Sequence, residues 1–292
     1  MSSNQFTADK TVLCPISIND LDEVACFLHH HMSDRFTPQQ WKQGISRSWL
    51  SDAPNYGFML RNNAQIVGVL CAIYSEQNIA GSQRRFCNPH SWCVLSDFRT
   101  RSIDLVLALI RQKGYTFTMF SPNKEGVEIF KYLKFKPLND ALLIFLNVPS
   151  VSGSGKVVSH LDIEQAKMHL PAHIAQQYTD HADFPWLKFL FFSEKDQYGF
   201  LIYKKQHYKR LASAWIMYIS DTALFSRCWP AIRTHLLLKH GFFTSKIEAR
   251  LLDHLMQVRL KPQPGHQKFY MSEELSADNI QNLYSELVTL DL

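Results

Sequence analysis

The chain has 292 residues, 46% hydrophobic and 20% charged, with a formal net charge of +5. This is a soluble globular composition, long enough for one large or two ordinary domains. The mild, dispersed positive charge argues against dedicated nucleic-acid binding, which needs clustered Lys and Arg, and suits an anionic small molecule. No apolar run approaches the roughly 18 residues of a membrane span, and the polar opening MSSNQFTADK lacks a signal-peptide core. The six cysteines form no CxxC pair, so no zinc site is expected, and they read as buried free thiols of a reducing cytoplasm.

LCPISIND (13–20) predicts a strand and a helix start, with Asn19 or Asp20 as cap. Leu21, Val24, Leu28 and Met32 fall on one apolar helical face. His29, His30 and His31 close that helix. Consecutive residues point to different faces, so the three cannot serve one metal, and they suit a helix C-terminus. Trp41 and Trp49, eight apart on one helical face, are expected as core anchors. Tyr56–Leu60 and Ile66–Tyr74 predict a hairpin turning at Asn62-Asn63. A loop containing Gly81 then leads to RRFCNPHSWCVL, a strand in which Pro89 predicts an edge or a bulge.

The next segment carries the most chemistry. Arg99-Thr100-Arg101-Ser102-Ile103-Asp104 follows an apolar strand and opens the helical run LVLALIR. A strand, a basic turn and a helix N-terminus form an anion site, because first-turn N–H groups lack partners and the macrodipole favours negative charge there. This turn has no glycine and ends on a carboxylate. Gly114 stops the helix, YTFTMF is a strand, NKEGVEIFKYLKF a short helix and ALLIFLNV a last strand. Residues 11 to 148 thus predict the order β-α-α-β-β-β-α-β-α-β, a mixed sheet with a βαβ crossover.

PSVSGSGKV (149–157) reads as a linker. Its GSGK is not a P-loop, since the first glycine and the Ser/Thr after Lys156 are missing. The second half echoes the first. Tyr198-Gly199-Phe200-Leu201 matches Tyr56-Gly57-Phe58-Met59, and GFFTS matches GYTFT. The unequal offsets predict that the second half lacks a stretch of about fifteen residues between hairpin and helix, where the first half holds a loop and a strand. Pro230 predicts a kink or break in the helix from Leu224 to Lys239. Tyr284, Ser285 and Glu286 lie near enough the C-terminus to reach the first half's cleft.

The element order and the segment VLSDFRTRSIDLVLAL together resemble the GNAT superfamily of acyl-CoA-dependent N-acyltransferases, in particular a bacterial branch of GNAT-like proteins. The resemblance covers residues 11 to 148 and implies a GNAT-like domain of mixed α/β fold at 1–149; the internal echoes extend this to a second, degenerate copy at 158–292, which has no basic turn before its helix and is expected to lack a CoA site. The family's CoA turn, R/Q-x-x-G-x-G/A, maps to Arg99, Ser102 and Asp104, without its glycines. The resemblance implies acetyl-CoA or another acyl-CoA as co-substrate, held by Val94, Leu95, the turn from Arg99 to Asp104 (Thr100, Arg101, Ser102 and Ile103 included) and Asn123. Asn123 equally suits a helix cap. It also implies a small-molecule amine as acceptor, no nucleic acid or membrane partner, and a cytoplasmic monomer or homodimer. His90 is the favoured general base, Glu76 the other candidate, and Asn88 a substrate contact. The family's acid, a tyrosine on the last helix, maps to Phe130, and Tyr132 should point elsewhere. The alternative is a catalytically inactive GNAT-like binding or acyl-CoA-sensing protein.

Overall fold

The computed structural model describes residues 11–150, 155–159, 163–257 and 261–291. The chain divides into two compact units. Unit 1 comprises residues 1–137, 268–280 and 284–292; unit 2 comprises 138–267 and 281–283.

Unit 1 holds a seven-stranded sheet in the order β1-β2-β3-β4-β5-β13-β6. Its strands are β1 (Thr11–Pro15), β2 (Gly57–Asn62), β3 (Gln65–Ile79), β4 (Ser82–Val94), β5 (Tyr115–Met119), β6 (Lys136–Pro137) and β13 (Phe269–Met271). Helices α1 (Leu21–His31) and α2 (Pro38–Ile45) cover one face, α3 (Ser102–Ile110) and α4 (Lys124–Tyr132) the other. The chain ends in the short helix α9 (Glu286–Thr289). The β2–β3 turn falls at Asn63, whose φ of 53° is a conformation that Asn tolerates better than most residues. The predicted loop around Gly81 is instead a tight turn at Ala80-Gly81, so β3 and β4 form one long hairpin. Trp41 is buried on α2, but Trp49 lies beyond that helix and bridges Ser75, so the two do not share a helical face.

Unit 2 holds a six-stranded sheet in the order β7-β12-β11-β10-β9-β8. The strands are β7 (Leu142–Leu146), β8 (Lys156–Val158), β9 (Lys188–Glu194), β10 (Gln197–Tyr208), β11 (Leu211–Ile219) and β12 (Thr244–Glu248). Helices α5 (Ile163–His169), α6 (Ala172–His181), α7 (Thr222–His240) and α8 (His254–Gln257) accompany it. The second sheet repeats the pattern of the first. Two successive hairpins lead to a parallel pair, β11 with β12 as β4 with β5, and an antiparallel strand follows.

That pattern corrects the sequence reading in three places. β7 pairs with β12 and β13 with β5, so the units part at 137/138 rather than at 149–157, and the C-terminal stretch returns to unit 1. Residues 151–154 of the expected linker lie outside the described residues. No strand is missing between hairpin and helix, since β11 runs into α7 as β4 runs toward α3. The Tyr198 echo misled because it sits on β10, the topological counterpart of β3, whereas Tyr56 precedes β2. Finally, α7 continues through Pro230 without a break and ends at Gly241, whose φ of 68° is the left-handed conformation of a helix C-cap.

Candidate functional site

In unit 1, β4 and β5 pair in parallel only from Arg85/Tyr115 to Cys87/Phe117, and then separate. The sequence dictates that separation. The Ala72 N–H donates to Tyr56, away from β4, so the facing pair Ala72/Pro89 turns its backbone nitrogens outward. On β4 that nitrogen faces β5 and belongs to proline, which has no hydrogen to donate. Asn88 compensates. Its amide donates to the Thr118 carbonyl at 3.0 Å and to Thr118 Oγ1 at 3.2 Å.

Beyond Pro89 the strand bulges. Val69 pairs with Cys93 and Cys71 with His90, so two residues oppose one, and Ser91 adopts φ 50°. A bulge breaks the alternation of faces. Cys87 and Trp92, an odd number apart, consequently both pack in the core beneath α3 and α4.

The opening holds a cavity of about 110 Å³, lined by Trp41, His90, Trp92, Phe130, Glu286 and Leu290 among others. Three of the lining residues carry a polar atom that is buried without a hydrogen-bond partner: His90 Nε2, Trp92 Nε1 and Glu286 Oε2. Buried polar groups rarely stay unpaired, at a cost of about 1–3 kcal/mol each, so three on one cavity mark a place for a ligand.

Glu286 is 1% exposed. Its Oε1 accepts from Ser121 Oγ at 2.7 Å, and its backbone N–H donates to Asn88 Oδ1 at 3.0 Å. Burial raises its carboxyl above the usual range, opposed chiefly by the Ser121 hydrogen bond. An acid with a raised pKa suits proton transfer near neutral pH. The sequence did hold a signal for it, a single carboxylate inside the apolar ending LYSELVTL.

His90 is 2% exposed, and its Nδ1 bonds Ser91 Oγ at 2.9 Å. Burial pushes its pKa down to about 3, so it is neutral at physiological pH and a weak base. The unfolded chain protonates this histidine near 6.5, so between 6.5 and 3 the unfolded state binds more protons and stability falls as pH falls. His90→Gln should flatten the urea-determined stability curve across that window; an unchanged slope would contradict a buried neutral imidazole. Glu286, with its raised pKa, acts in the opposite sense and is common to both proteins.

The other predicted residues divide. Asn88 is fully used in joining β4, Thr118 and Glu286, so it positions the site and has no amide group left for a substrate. Glu76 is not brought to His90. It faces Arg85 on the β3–β4 ladder, five residues beyond the Cys71/His90 pair and roughly 17 Å along the strand. Asn123 caps α4, accepting from the Gly126 N–H at 2.8 Å, and also lines the cavity. Val94 pairs with Gly68, and both Leu95 backbone groups are engaged, by Val67 and Phe98. Phe130 is wholly buried beside the cavity, and Tyr132 is exposed. The three histidines end α1, where His29 and His30 bond the carbonyls of Phe36 and Cys26.

The basic turn is more closed than expected. Ser96–Arg101 forms a 3-10 helix that runs straight into α3, with the Phe98 N–H donating to the Leu95 carbonyl and the Ser102 N–H to the Arg99 carbonyl. Ile103 and Asp104 lie in the first turn of α3, where N–H groups have no acceptor within their own helix. Arg101 is committed to Asp104, with Nε 2.5 Å from Oδ2, and reaches Thr11 O at 3.3 Å. Arg99 is exposed and forms no ion pair among the described residues.

In unit 2 the corresponding divergence lies past Ile216/Ile247 and is filled by protein. Asn282 donates to Met217 O at 3.0 Å and to Glu248 Oε1 at 3.1 Å, and Arg250 bonds both Asn282 and Glu248.

No family model matches this chain, and no curated protein matches it in sequence. Solved structures do match in fold. A GCN5-related N-acetyltransferase from Anabaena variabilis superposes with a TM-score of 0.61 at 10% identity, covering 89% of this chain and 72% of that one. One from Kribbella flavida gives 0.61 at 12% identity, covering 90% and 72%. The N-myristoyltransferase of Saccharomyces cerevisiae, solved with myristoyl-CoA, gives 0.52 at 11% identity, covering 97% and 85%. With no helix among the described residues long and apolar enough to cross a membrane, and with two like sheets that each open past a short parallel pair, the chain has the mixed α/β fold of the GCN5-related N-acetyltransferases.

Proposed function

We propose that unit 1 transfers a short acyl group from acyl-CoA to the amine of a small molecule, with Glu286 as general base. The observation that carries this reading is the buried carboxylate whose Oε2 has no partner, on the cavity where β4 and β5 part. The amine nitrogen attacks the thioester carbon, forming the C–N bond as the C–S bond breaks. The amine proton passes to Glu286 and then to the departing thiolate, giving amide and free CoA thiol. With Phe130 where the family carries its acid, Glu286 serves both transfers, or the thiolate leaves unprotonated, being a good leaving group near neutral pH. A cavity of about 110 Å³ is several-fold smaller than the roughly 300–1,000 Å³ that drug-sized ligands occupy, which favours acetyl or a close homologue. Thiol release from acetyl-CoA with a panel of small primary amines tests the reading, and release no faster than amine-free hydrolysis across the panel would contradict it.

The pyrophosphate of CoA belongs at the Ile103 and Asp104 amides with Arg99 beside them, a position that the Asp104 carboxylate opposes. Asp104→Asn removes that charge and frees Arg101 for phosphate. Several-fold tighter acetyl-CoA binding by calorimetry is expected; unchanged affinity would place the cofactor elsewhere. Phe130, which has no proton to give where the family carries its acid, also supports a second reading, an acyl-CoA-binding protein without turnover, for which acyl-CoA would bind and no thiol would appear. In this account unit 2 is a degenerate copy without a CoA site, since Asn282, Glu248 and Arg250 occupy the place where its parallel strands part.

A further inference from the structure

We propose that the indole N–H of Trp92 hydrogen-bonds the carbonyl oxygen of the acyl group and stabilises the negative charge that develops on it during transfer. The inference rests on the acyl-transfer reading and assigns the atom that the acyl oxygen meets. Trp92 Nε1 carries a hydrogen at any physiological pH and can only donate. It is buried and has no acceptor, and Trp92 is one of the residues lining the cavity. The two orphaned groups Trp92 N–H and Glu286 Oε2 have opposite polarity, one donor and one acceptor. An acyl carbonyl, which only accepts, and an amine, which donates, are the matching pair. The bulge at Ser91 provides the placement. In a regular strand Trp92 would share a face with His90 and Asn88; the extra residue turns it instead toward α4, where its ring meets Phe130 edge-on with centroids 6.1 Å apart. Phe130, the residue standing where the family carries its acid, thus becomes the wall that holds the indole. A fixed donor in a water-poor site costs no reorganisation as charge builds on the oxygen.

Trp92→Phe tests this directly, because it removes the N–H and keeps an aromatic ring in the core. Wild type and variant are titrated with CoA and with acetyl-CoA labelled with carbon-13 at the carbonyl, and the infrared band of the bound thioester is recorded. The wild type is expected to move the bound carbonyl band to lower frequency. The variant should bind CoA with unchanged affinity, lose the band shift, and show a kcat about 10²-fold lower at similar KM. Acetyl-CoA that binds the wild type with an unshifted band, or a shift that persists in Trp92→Phe, overturns the role of Trp92 and leaves the acyl-transfer reading standing. Failure of the wild type to bind acetyl-CoA at all overturns both.

Discussion

Glu286→Gln is expected to lower kcat for acyl transfer by about 10²–10⁴-fold, the usual worth of a positioned general base, while leaving acyl-CoA affinity within a factor of two or so of wild type. The substitution keeps the shape of the side chain and an oxygen for the Ser121 hydroxyl, so the 2.7 Å hydrogen bond to Oε1 survives. It leaves the backbone link to Asn88 untouched. What it removes is the capacity to take a proton. The wild-type rate should also fall at low pH, with an apparent pKa above the ordinary carboxylate range, because burial raises this carboxyl. An enzyme that retains full kcat as the glutamine variant would move the base to another group; His90, held neutral down to about pH 3, is poorly suited to replace it.

The second large effect is on stability. Phe130→Ala should cost about 3–5 kcal/mol, the range for deleting a buried phenylalanine ring. Phe130 is wholly buried, and its ring meets those of Trp92, Phe135 and Phe269 at centroid distances of 6.1, 5.0 and 6.3 Å. These rings come from β4, the turn after α4 and β13, so one side chain ties together pieces of unit 1 that lie far apart in sequence. Neighbouring rings cannot collapse into the space without leaving that arrangement, which places the expected cost in the upper part of the range. Urea denaturation reads the effect. A loss below about 1 kcal/mol, the scale of an Ile→Val change, would mean that this core is far looser than its burial indicates.

Local signals carried the first half of unit 1 well. Apolar periodicity marks α1, the paired asparagines mark the β2–β3 turn, and Pro89 marks the departure from regular pairing on β4. Each of those depends on a few neighbouring residues. The parts that were not legible depend on distant ones. Nothing in ALLIFLNV says that it will join the second sheet, and nothing in Phe269–Met271 says that it will pair with β5, because strand propensity carries no information about partners. The candidate site shows the same division. His90 and Asn88 could be picked from their strand, but Glu286 lies 198 residues from the Asn88 that holds it. Glu76 was the other candidate for the base, and only the antiparallel register sets it well apart from His90. The basic turn was recognised by composition. Its closure into a 3-10 helix, and the commitment of Arg101 to Asp104, are three-dimensional facts that a one-letter pattern does not contain.

The most direct test of the central claim is calorimetric titration of the whole chain with acetyl-CoA. Saturable binding of one acetyl-CoA per chain is expected, accompanied by thermal stabilisation that grows with ligand concentration as mass action requires. No binding at millimolar concentration would contradict the acyl-CoA site in unit 1, and two equivalents per chain would contradict the reading of unit 2 as closed.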